Sequence, residues 1–252
     1  MSRVALITGG QQGIGLGIAE ALAGAGFTPV LVAELPEDHA TVQAALNRLG
    51  PAACYVQHDL AEIEAVPALL DRVEAEAGPI TTLVSNAGVP ARQRGDMLEM
   101  APENFDWTMG INLRGAFFLA QQVARRMLAR DSADYRSILF VTSVSAGMVS
   151  VERAEYCLSK SAAAMMAQLF AVRLAPHGIG VFDIRPGIIR TPMTAGVADR
   201  YTALIEGGLV PAGRWGQPDD IAQVVLPLAL GRMGFATGAI IPVDGGLSIP
   251  RL

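Results

Sequence analysis

A tyrosine, a lysine and a serine near the middle of the chain have the types and spacing needed to move a proton. Tyr156 and Lys160 are four residues apart, so on a helix they share a face, one turn from each other. An ammonium beside a phenol favours the phenolate, and we therefore expect Lys160 to lower the pKa of Tyr156 toward working pH. Ser143 follows an apolar run, Ile138–Thr142, that is typical of a buried parallel strand. Its hydroxyl would face the phenol from that strand end and donate to a developing alkoxide.

A tyrosine and lysine at this spacing also occur on ordinary helix surfaces, so the elements around them must supply the rest of the argument. The first apolar run, Arg3–Thr8, is followed by Gly9-Gly10-Gln11-Gln12-Gly13-Ile14-Gly15 and an alanine-rich stretch to Ala25. A glycine turn between a strand and a helix lets a pyrophosphate approach free backbone N–H groups at the helix N-terminus. The pattern predicts dinucleotide binding, although a purely structural turn is the alternative.

The remaining chain alternates between short apolar runs and amphipathic stretches. Strands are expected at Thr28–Ala33, Ala52–Gln57, Ile80–Ser85, Ile138–Thr142, Ile179–Ile184 and Ala239–Val243, and helices at Ala40–Leu49, Glu62–Ala77, Pro102–Ala129, around Tyr156 and at Pro218–Leu230. This alternation predicts βαβ units in a Rossmann-like, doubly wound α/β domain, with about seven parallel strands and helices on both faces. We expect residues 1–252 to form one domain. Ligands of such sheets bind beyond the carboxyl ends of the strands.

Two segments beyond strand ends bear on ligand binding. Glu34 lies about twenty residues after the glycine turn, where an acid can bind the adenosine ribose, although a solvated loop carboxylate explains it equally well. The segment Ile188–Gly213 interrupts the alternation, is loop-like in part and carries several apolar side chains. Its length and composition predict a flap that covers the substrate.

Composition excludes several classes of function. The chain has 252 residues, 51% hydrophobic and 17% charged, and its net charge of −5 argues against nucleic acid as a partner. No apolar run is long enough to span a bilayer. Cys54 and Cys157 form no CxxC and no secretory leader precedes them, which favours a reducing cytoplasm. The histidines His39, His58 and His177 are scattered, so we expect no metal site.

Taken in order, these motifs resemble those of the short-chain dehydrogenase/reductase family along essentially the whole chain. The matching residues are Thr8-Gly9-x-x-x-Gly13-Ile14-Gly15, Asp59, Asn86-Ala87-Gly88, Asn112, Ser143, Tyr156-x-x-x-Lys160, Pro186-Gly187 and Asp244-Gly245-Gly246. The resemblance implies that Ser143 polarises a substrate carbonyl, that Tyr156 exchanges its proton and that Lys160 binds the nicotinamide ribose. It also implies that Asn112 holds a water in a proton relay, and that the protein is a homotetramer.

The same resemblance assigns residues to the two ligands. Cofactor contacts are expected at Gly9, Gln12, Gly13, Ile14, Gly15, Glu34, Asp59, Leu60, Asn86, Ala87, Gly88, Tyr156, Lys160, Pro186, Gly187, Ile189 and Thr191, of which Thr191 would contact the nicotinamide amide. Substrate contacts are expected at Ser143, Ser145, Val149, Arg94, Arg153, Tyr156 and Met193. Two residues depart from the family pattern: Ser85 stands where asparagine is frequent, and Ala33 where many NAD-dependent members carry aspartate. The missing basic residue for a 2′-phosphate favours NAD(H), with NADP(H) possible.

The predicted activity is NAD(P)-dependent hydride transfer between a secondary alcohol and a ketone, with a polyol, sugar or small hydroxy compound favoured. The first alternative is reduction of a 3-oxoacyl thioester on an acyl carrier or coenzyme A. Arg125, Arg126 and Arg130 would then offer a basic patch to an acidic carrier, although such arginines are more often simply solvated. The second alternative is a dinucleotide-binding sensor or scaffold without catalysis.

Overall fold

Seven apolar runs form the strands of one parallel sheet, as the alternation of the sequence predicts. The strands are β1 (Arg3–Thr8), β2 (Phe27–Ala33), β3 (Cys54–Gln57), β4 (Ile80–Ser85), β5 (Arg136–Val141), β6 (Ile179–Pro186) and β7 (Ile240–Val243). They are ordered β3-β2-β1-β4-β5-β6-β7, and every neighbouring pair is parallel. The computed structural model describes residues 3–251. This order reverses direction between β1 and β4, which is where ligands bind in such sheets.

Helices cover both faces of the sheet. They are α1 (Gly13–Gly24), α2 (Ala40–Leu49), α3 (Val66–Ala77), α4 (Pro102–Met109), α5 (Ala116–Leu128), α6 (Ala154–Leu174), α7 (Pro192–Ala195), α8 (Ala198–Glu206) and α9 (Pro218–Ala229). Because side chains alternate along a strand, Val4 and Leu6 of β1 pack with α3, α5 and α6, whereas Ala5 and Ile7 pack with α1, α2 and α9. The two resulting cores hold the strand ends, and the loops that follow them, in place.

The single helix expected over Pro102–Ala129 is divided into two. Helix α4 ends at Met109, residues Gly110–Gly115 form a π-helical turn, and α5 begins at Ala116. A Cβ atom on Gly115 would lie 2.1 Å from the carbonyl oxygen of Leu60, so only glycine allows the chain to approach this closely. The extra residue of the π-helical turn places Asn112 inside it, and such turns are frequent at functional sites.

The segment Ile188–Gly213, which is predicted to be loop-like in part, contains the two helices α7 and α8. Tyr201 and Ile205 lie on one face of α8 and pack with Trp215 and Leu247 in a small third apolar cluster. The spacing of these two residues, four apart, is a helical signal that the prediction of a partly loop-like segment did not use. Met193 in α7 is 53% exposed, whereas Ile205 in α8 is 4% exposed.

Over the described range, 3–251, no helix combines the length and the apolar character that crossing a membrane requires. In the same range, no three His, Cys, Asp or Glu side chains are grouped as metal ligands.

Candidate active site

A cavity of about 570 Å³ lies at the carboxyl ends of the strands. Its wall contains residues that directly follow the strands, among them Gly9 after β1, Glu34 after β2, Asn86 after β4 and Ser143 near the end of β5. A cavity of this size suits a small-molecule ligand, and its place in the sheet is the one expected for an open parallel α/β fold.

Tyr156 and Lys160 lie in the first two turns of α6 and both line the cavity. The Lys160 side chain is 6% exposed, and its ammonium donates a hydrogen bond of 3.1 Å to the carbonyl oxygen of Val141 at the end of β5. Burial lowers the pKa of Lys160 to about 8, with the carboxylate of Asp183 acting in the opposite direction. The ammonium lies 5.8 Å from the centre of the Tyr156 ring.

The expected lowering of the Tyr156 pKa by Lys160 is wrong for the protein alone. Burial raises the pKa of Tyr156, and the opposing contributions come from a hydrogen bond with Ser143 and from the charge of Arg153. Tyr156 is half-buried in the cavity wall. The protein that surrounds its phenol removes water and so destabilises the charged phenolate. The ammonium of Lys160 donates to the Val141 carbonyl and is not among the groups that lower the pKa of Tyr156.

Ser143 is placed by the short turn that follows β5. Its hydroxyl oxygen accepts a hydrogen bond of 3.0 Å from the backbone N–H of Ser145, which fixes the side chain at the start of a 3₁₀ turn. Both serines are buried and line the cavity. The Ser143 hydroxyl also lowers the pKa of the Tyr156 phenol as its neighbour, so the two hydroxyls lie close together.

Asn112 does not line the cavity, although it lies next to residues that do. Its Oδ1 accepts 2.7 Å from the N–H of Val89, and its Nδ2 donates 3.0 Å to the Val89 carbonyl and 3.2 Å to Ser159 Oγ. The side chain thereby joins the π-helical turn, the loop after β4 and α6. Asn112 and Lys160 also meet at Gly88, where a Cβ atom would lie 3.1 Å from Asn112 Oδ1 and 3.4 Å from Lys160 Nζ.

The glycine turn after β1 has the backbone that a bound phosphate needs. Gly9 and Gly13 have φ angles of 66° and 54°, a region that favours glycine. The Thr8 hydroxyl accepts hydrogen bonds of 3.0 and 2.9 Å from the N–H groups of Asn86 and Ala87, which ties this turn to the end of β4. Gly15 does not line the cavity; a Cβ atom there would lie 2.2 Å from the Gly9 carbonyl oxygen, so this glycine allows α1 to pack against the turn.

The opposite end of the cavity, beyond β2 and β3, carries residues suited to an adenosine. Glu34 and Asp59 are exposed and line the wall, and Leu60 is buried beneath them. Two further wall residues, Gln11 and His58, each have a buried side-chain atom, Oε1 and Nε2, without a hydrogen-bond partner among the described residues. Unpartnered polar atoms in residues that line a cavity suit a ligand with hydroxyl groups, so this end fits a dinucleotide.

At the end of β6 and beyond it, the cavity wall includes Pro186, Gly187, Ile189 and Thr191. A Cβ atom on Gly187 would lie 2.7 Å from Asp244 Cα, which explains a glycine at this position. The Thr191 side chain caps α7. The same cavity is lined by these four residues, by Gln12 and Ile14, and by all the predicted substrate contacts. Two of the substrate contacts, Val149 (88% exposed) and Met193, lie at its rim.

Sequence reasoning missed several wall residues, namely Gln11, His58, Trp107, Met148 and Leu247. Gln11 and His58 adjoin predicted contacts and were identifiable as neighbours in the same strand-end motifs. No sequence pattern distinguishes Trp107, Met148 and Leu247, because an isolated apolar residue is equally typical of the hydrophobic core.

Two of the three arginines considered as a carrier-binding patch are already paired. Arg126 forms ion pairs of 2.6 Å with Asp71 and 2.8 Å with Glu74, and Arg130 forms one of 2.6 Å with Glu74. These pairs hold α5 against α3. The Glu74 carboxylate has a lowered pKa, because its hydrogen bonds and ion pairs with the two arginines outweigh the effect of burial. This leaves Arg125 exposed at the end of α5.

Comparison with known proteins agrees with this geometry. A family model described as enoyl-(acyl carrier protein) reductase matches residues 9–248. The 2-dehydro-3-deoxy-D-gluconate 5-dehydrogenase of Escherichia coli (strain K12) is 34% identical over 245 residues, which cover 97% of this chain and 94% of that protein. The 3-oxoacyl-[acyl-carrier-protein] reductase MabA of Mycobacterium tuberculosis (strain ATCC 25618 / H37Rv) is 34% identical over 251 residues, covering 99% and 94%.

Among solved structures, a 3-oxoacyl-[acyl-carrier protein] reductase from Brucella melitensis in complex with NAD is 48% identical. The match covers 100% of this chain and 99% of that one, with a TM-score of 0.95. The ordered motifs, the seven-stranded parallel sheet and these similarities show that the chain belongs to the short-chain dehydrogenase/reductase family of oxidoreductases.

Proposed function

We propose that the protein interconverts a secondary alcohol and a ketone, with a nicotinamide dinucleotide as the hydride carrier. The observation that carries this proposal is the convergence of Ser143, Tyr156 and Lys160 in a cavity whose other end fits a dinucleotide. In this proposal, residues 1–252 form one catalytic domain, in which residues 188–213 cover the substrate.

The bound nicotinamide supplies the hydride chemistry, and the chain supplies orientation and one proton. In ketone reduction, the Ser143 hydroxyl donates to the carbonyl oxygen and the neutral Tyr156 phenol gives that oxygen its proton. In alcohol oxidation, the Tyr156 phenolate takes the proton back. Lys160, held by the Val141 carbonyl, binds the ribose hydroxyls beside the reacting atoms. A protonated Lys160 also supplies positive charge near the phenolate.

Asn112 has a supporting role in this proposal. Val89 and Ser159 occupy both hydrogens of its amide and one site on Oδ1, so the second lone pair of Oδ1 is available to a water in the proton relay. By tying the π-helical turn to α6, the same side chain also holds the turn that contains Lys160 in position.

Two substrate classes are supported by different observations. A polyol, sugar or small hydroxy compound is favoured because Arg126 and Arg130 are occupied by ion pairs, which weakens the case for a carrier-binding patch. Reduction of a 3-oxoacyl thioester is supported by the similarity to the Brucella melitensis 3-oxoacyl-[acyl-carrier protein] reductase, which is 48% identical. The E. coli relative, in contrast, is named for a sugar acid. A sensor without catalysis has no observation in its favour, because the serine, tyrosine and lysine are all in place.

We propose NAD(H) as the preferred cofactor. The only arginines among the described residues of the cavity wall are Arg94 and Arg153, and both belong to the half near Tyr156. The adenosine half presents Glu34, whose charge would repel a 2′-phosphate. His58 lies in the same half, and burial lowers its pKa, so it is neutral at pH 7 and gives a phosphate no charge to bind.

We further propose a homotetramer in a reducing cytoplasm. Leu158, Met165, Leu169 and Val172 form a row of exposed apolar side chains on α6, between 54% and 79% exposed, which a partner subunit would cover. The two thiols, Cys54 and Cys157, are free, as a reducing compartment requires.

The function is tested by following the ultraviolet absorbance of reduced nicotinamide with each cofactor against polyols, secondary alcohols, sugar acids and acetoacetyl thioesters. We expect turnover with at least one member of these classes, and the class that turns over fastest names the substrate. Tight cofactor binding without turnover of any member would favour the sensor instead.

A further inference from the structure

The half of the cavity near Tyr156 has a positive lining in an acidic protein. Arg94, Arg153 and Lys160 line it, whereas the two acids of the cavity wall, Glu34 and Asp59, follow β2 and β3. Ser143 follows β5, which β1 and β4 separate from β2, so these ends lie three strand spacings or roughly 14 Å apart. With a net charge of −5, the protein as a whole repels anions, and the cationic lining counteracts this repulsion near Tyr156.

Arg153 is held in a fixed position beside the reacting group. Its Nε donates to Ser150 Oγ at 3.2 Å, its Nη2 donates to Ser145 Oγ at 3.3 Å, and its guanidinium carbon lies 5.3 Å from the centre of the Tyr156 ring. These contacts use two of the five guanidinium hydrogens. Within residues 3–251, no carboxylate lies within 4.0 Å of Arg153, and no acceptor engages its Nη1.

Ser145 adds a donor to the same place. It is 4% exposed, its oxygen accepts from Arg153, and no described residue accepts its hydroxyl hydrogen. A rigid guanidinium with free donors beside a free hydroxyl matches the planar, doubly accepting oxygens of a carboxylate. Of the two arginines among the described residues of this part of the wall, Arg153 is fixed by hydrogen bonds, whereas Arg94 is exposed at the rim.

We propose that the substrate carries a carboxylate, which Arg153 and Ser145 bind while its keto group faces Ser143 and Tyr156. This inference rests on the proposed oxidoreductase function and narrows it to oxo and hydroxy acids of short chain. A thioester offers no charge to Arg153, so the arrangement favours the acid over the 3-oxoacyl thioester.

The test is calorimetric titration of the enzyme saturated with the oxidised cofactor, in which a ketone binds and no hydride is available to reduce it. Two probes of different length, 3-oxobutanoate and 4-oxopentanoate, are each compared with the corresponding methyl ester. We expect at least one acid to bind roughly ten to a hundred times more tightly than its ester, the range of a hydrogen-bonded charge. Arg153→Met should reduce this ratio to about one, and Arg153→Lys should retain part of it.

Arg72→Gln is the matched control, because it removes one positive charge from an ion pair with Glu76 on α3, outside the cavity. It should leave the ratio of acid to ester affinity unchanged. Equal affinity of acid and ester in the wild type for both probes, or an unchanged ratio in Arg153→Met, would overturn the proposal. Adding reduced cofactor separates the two claims: tight binding of the acid without its reduction contradicts the proposed function alone, whereas reduction of the ester without preference for the acid contradicts the carboxylate site alone.

Discussion

Burial lowers the pKa of Lys160 and raises the pKa of Tyr156, so it favours the neutral form of both side chains. With a pKa of about 8, Lys160 still carries its proton at pH 7, and the raised pKa of Tyr156 keeps the phenol neutral. A neutral phenol is the form that donates a proton, so the protein alone is prepared for ketone reduction. Alcohol oxidation needs the phenolate and should accelerate as the pH rises.

The buried ammonium has a measurable effect on stability. The folded pKa of Lys160 is about 8 against an ordinary 10.5, so between these values the unfolded chain binds the additional proton and stability rises with pH. Relative to Lys160→Met, the wild type should gain up to about 3 kcal/mol across this window. Above pH 10, the raised pKa of Tyr156 makes stability fall as the pH rises. This effect is present in both the wild type and Lys160→Met. Urea unfolding at pH 7, 8, 9 and 10 measures the difference, and parallel profiles would contradict the assignment.

Glu34 is the residue on which cofactor choice depends. Two unit charges about 4 Å apart repel by roughly 1 kcal/mol in water and about 4 kcal/mol at an effective dielectric of 20. Because Glu34 is exposed, the lower figure applies, and we expect a several-fold preference for NAD(H) in kcat/KM. Glu34→Arg should shift the ratio toward NADP(H). An unchanged ratio would mean that this side chain faces away from the ribose.

The two helices of the segment 188–213 differ in how they are packed against the rest of the protein. Helix α7 carries the exposed Met193, whereas α8 is held by buried Ile205 and by the hydrogen bond of 3.1 Å from Trp215 Nε1 to Thr202. We expect amides of the whole segment to exchange faster than those of β5, and those of α7 to exchange fastest. Hydrogen exchange with and without cofactor measures this. Protection of α7 equal to that of β5 in the free protein would show that the segment is not a mobile cover.

The row of exposed apolar side chains on α6 predicts that several copies of the chain assemble. Light scattering should give four times the chain mass of 26.4 kDa for the wild type. Placing carboxylates in the row, as in Leu169→Glu with Val172→Glu, should lower this mass because a buried charge at an interface lacks a partner. Leu98→Glu, at an exposed position outside α6, is the control and should leave the mass unchanged. A monomeric wild type would contradict the proposal.

The sheet and its motifs were predictable from sequence because strand periodicity and glycine turns are local signals. The sequence identified all seven strands, although it placed the start of β5 at Ile138 when pairing extends it to Arg136. The π-helical turn at Asn112 was not predictable from local signals, and its last residue, Gly115, packs against Leu60, fifty-five residues earlier in the chain. The direction of the Tyr156 pKa was missed for the same reason, since burial is a tertiary property.

The proposed reaction depends above all on proton exchange between Tyr156 and the reacting oxygen. Replacing it by phenylalanine removes one oxygen atom and keeps the ring that packs beside Arg153 and Lys160. With the best substrate from the screen, Tyr156→Phe should fold and bind reduced cofactor as the wild type does, while kcat falls by about two to four decades. A kcat within tenfold of the wild type would contradict the claim.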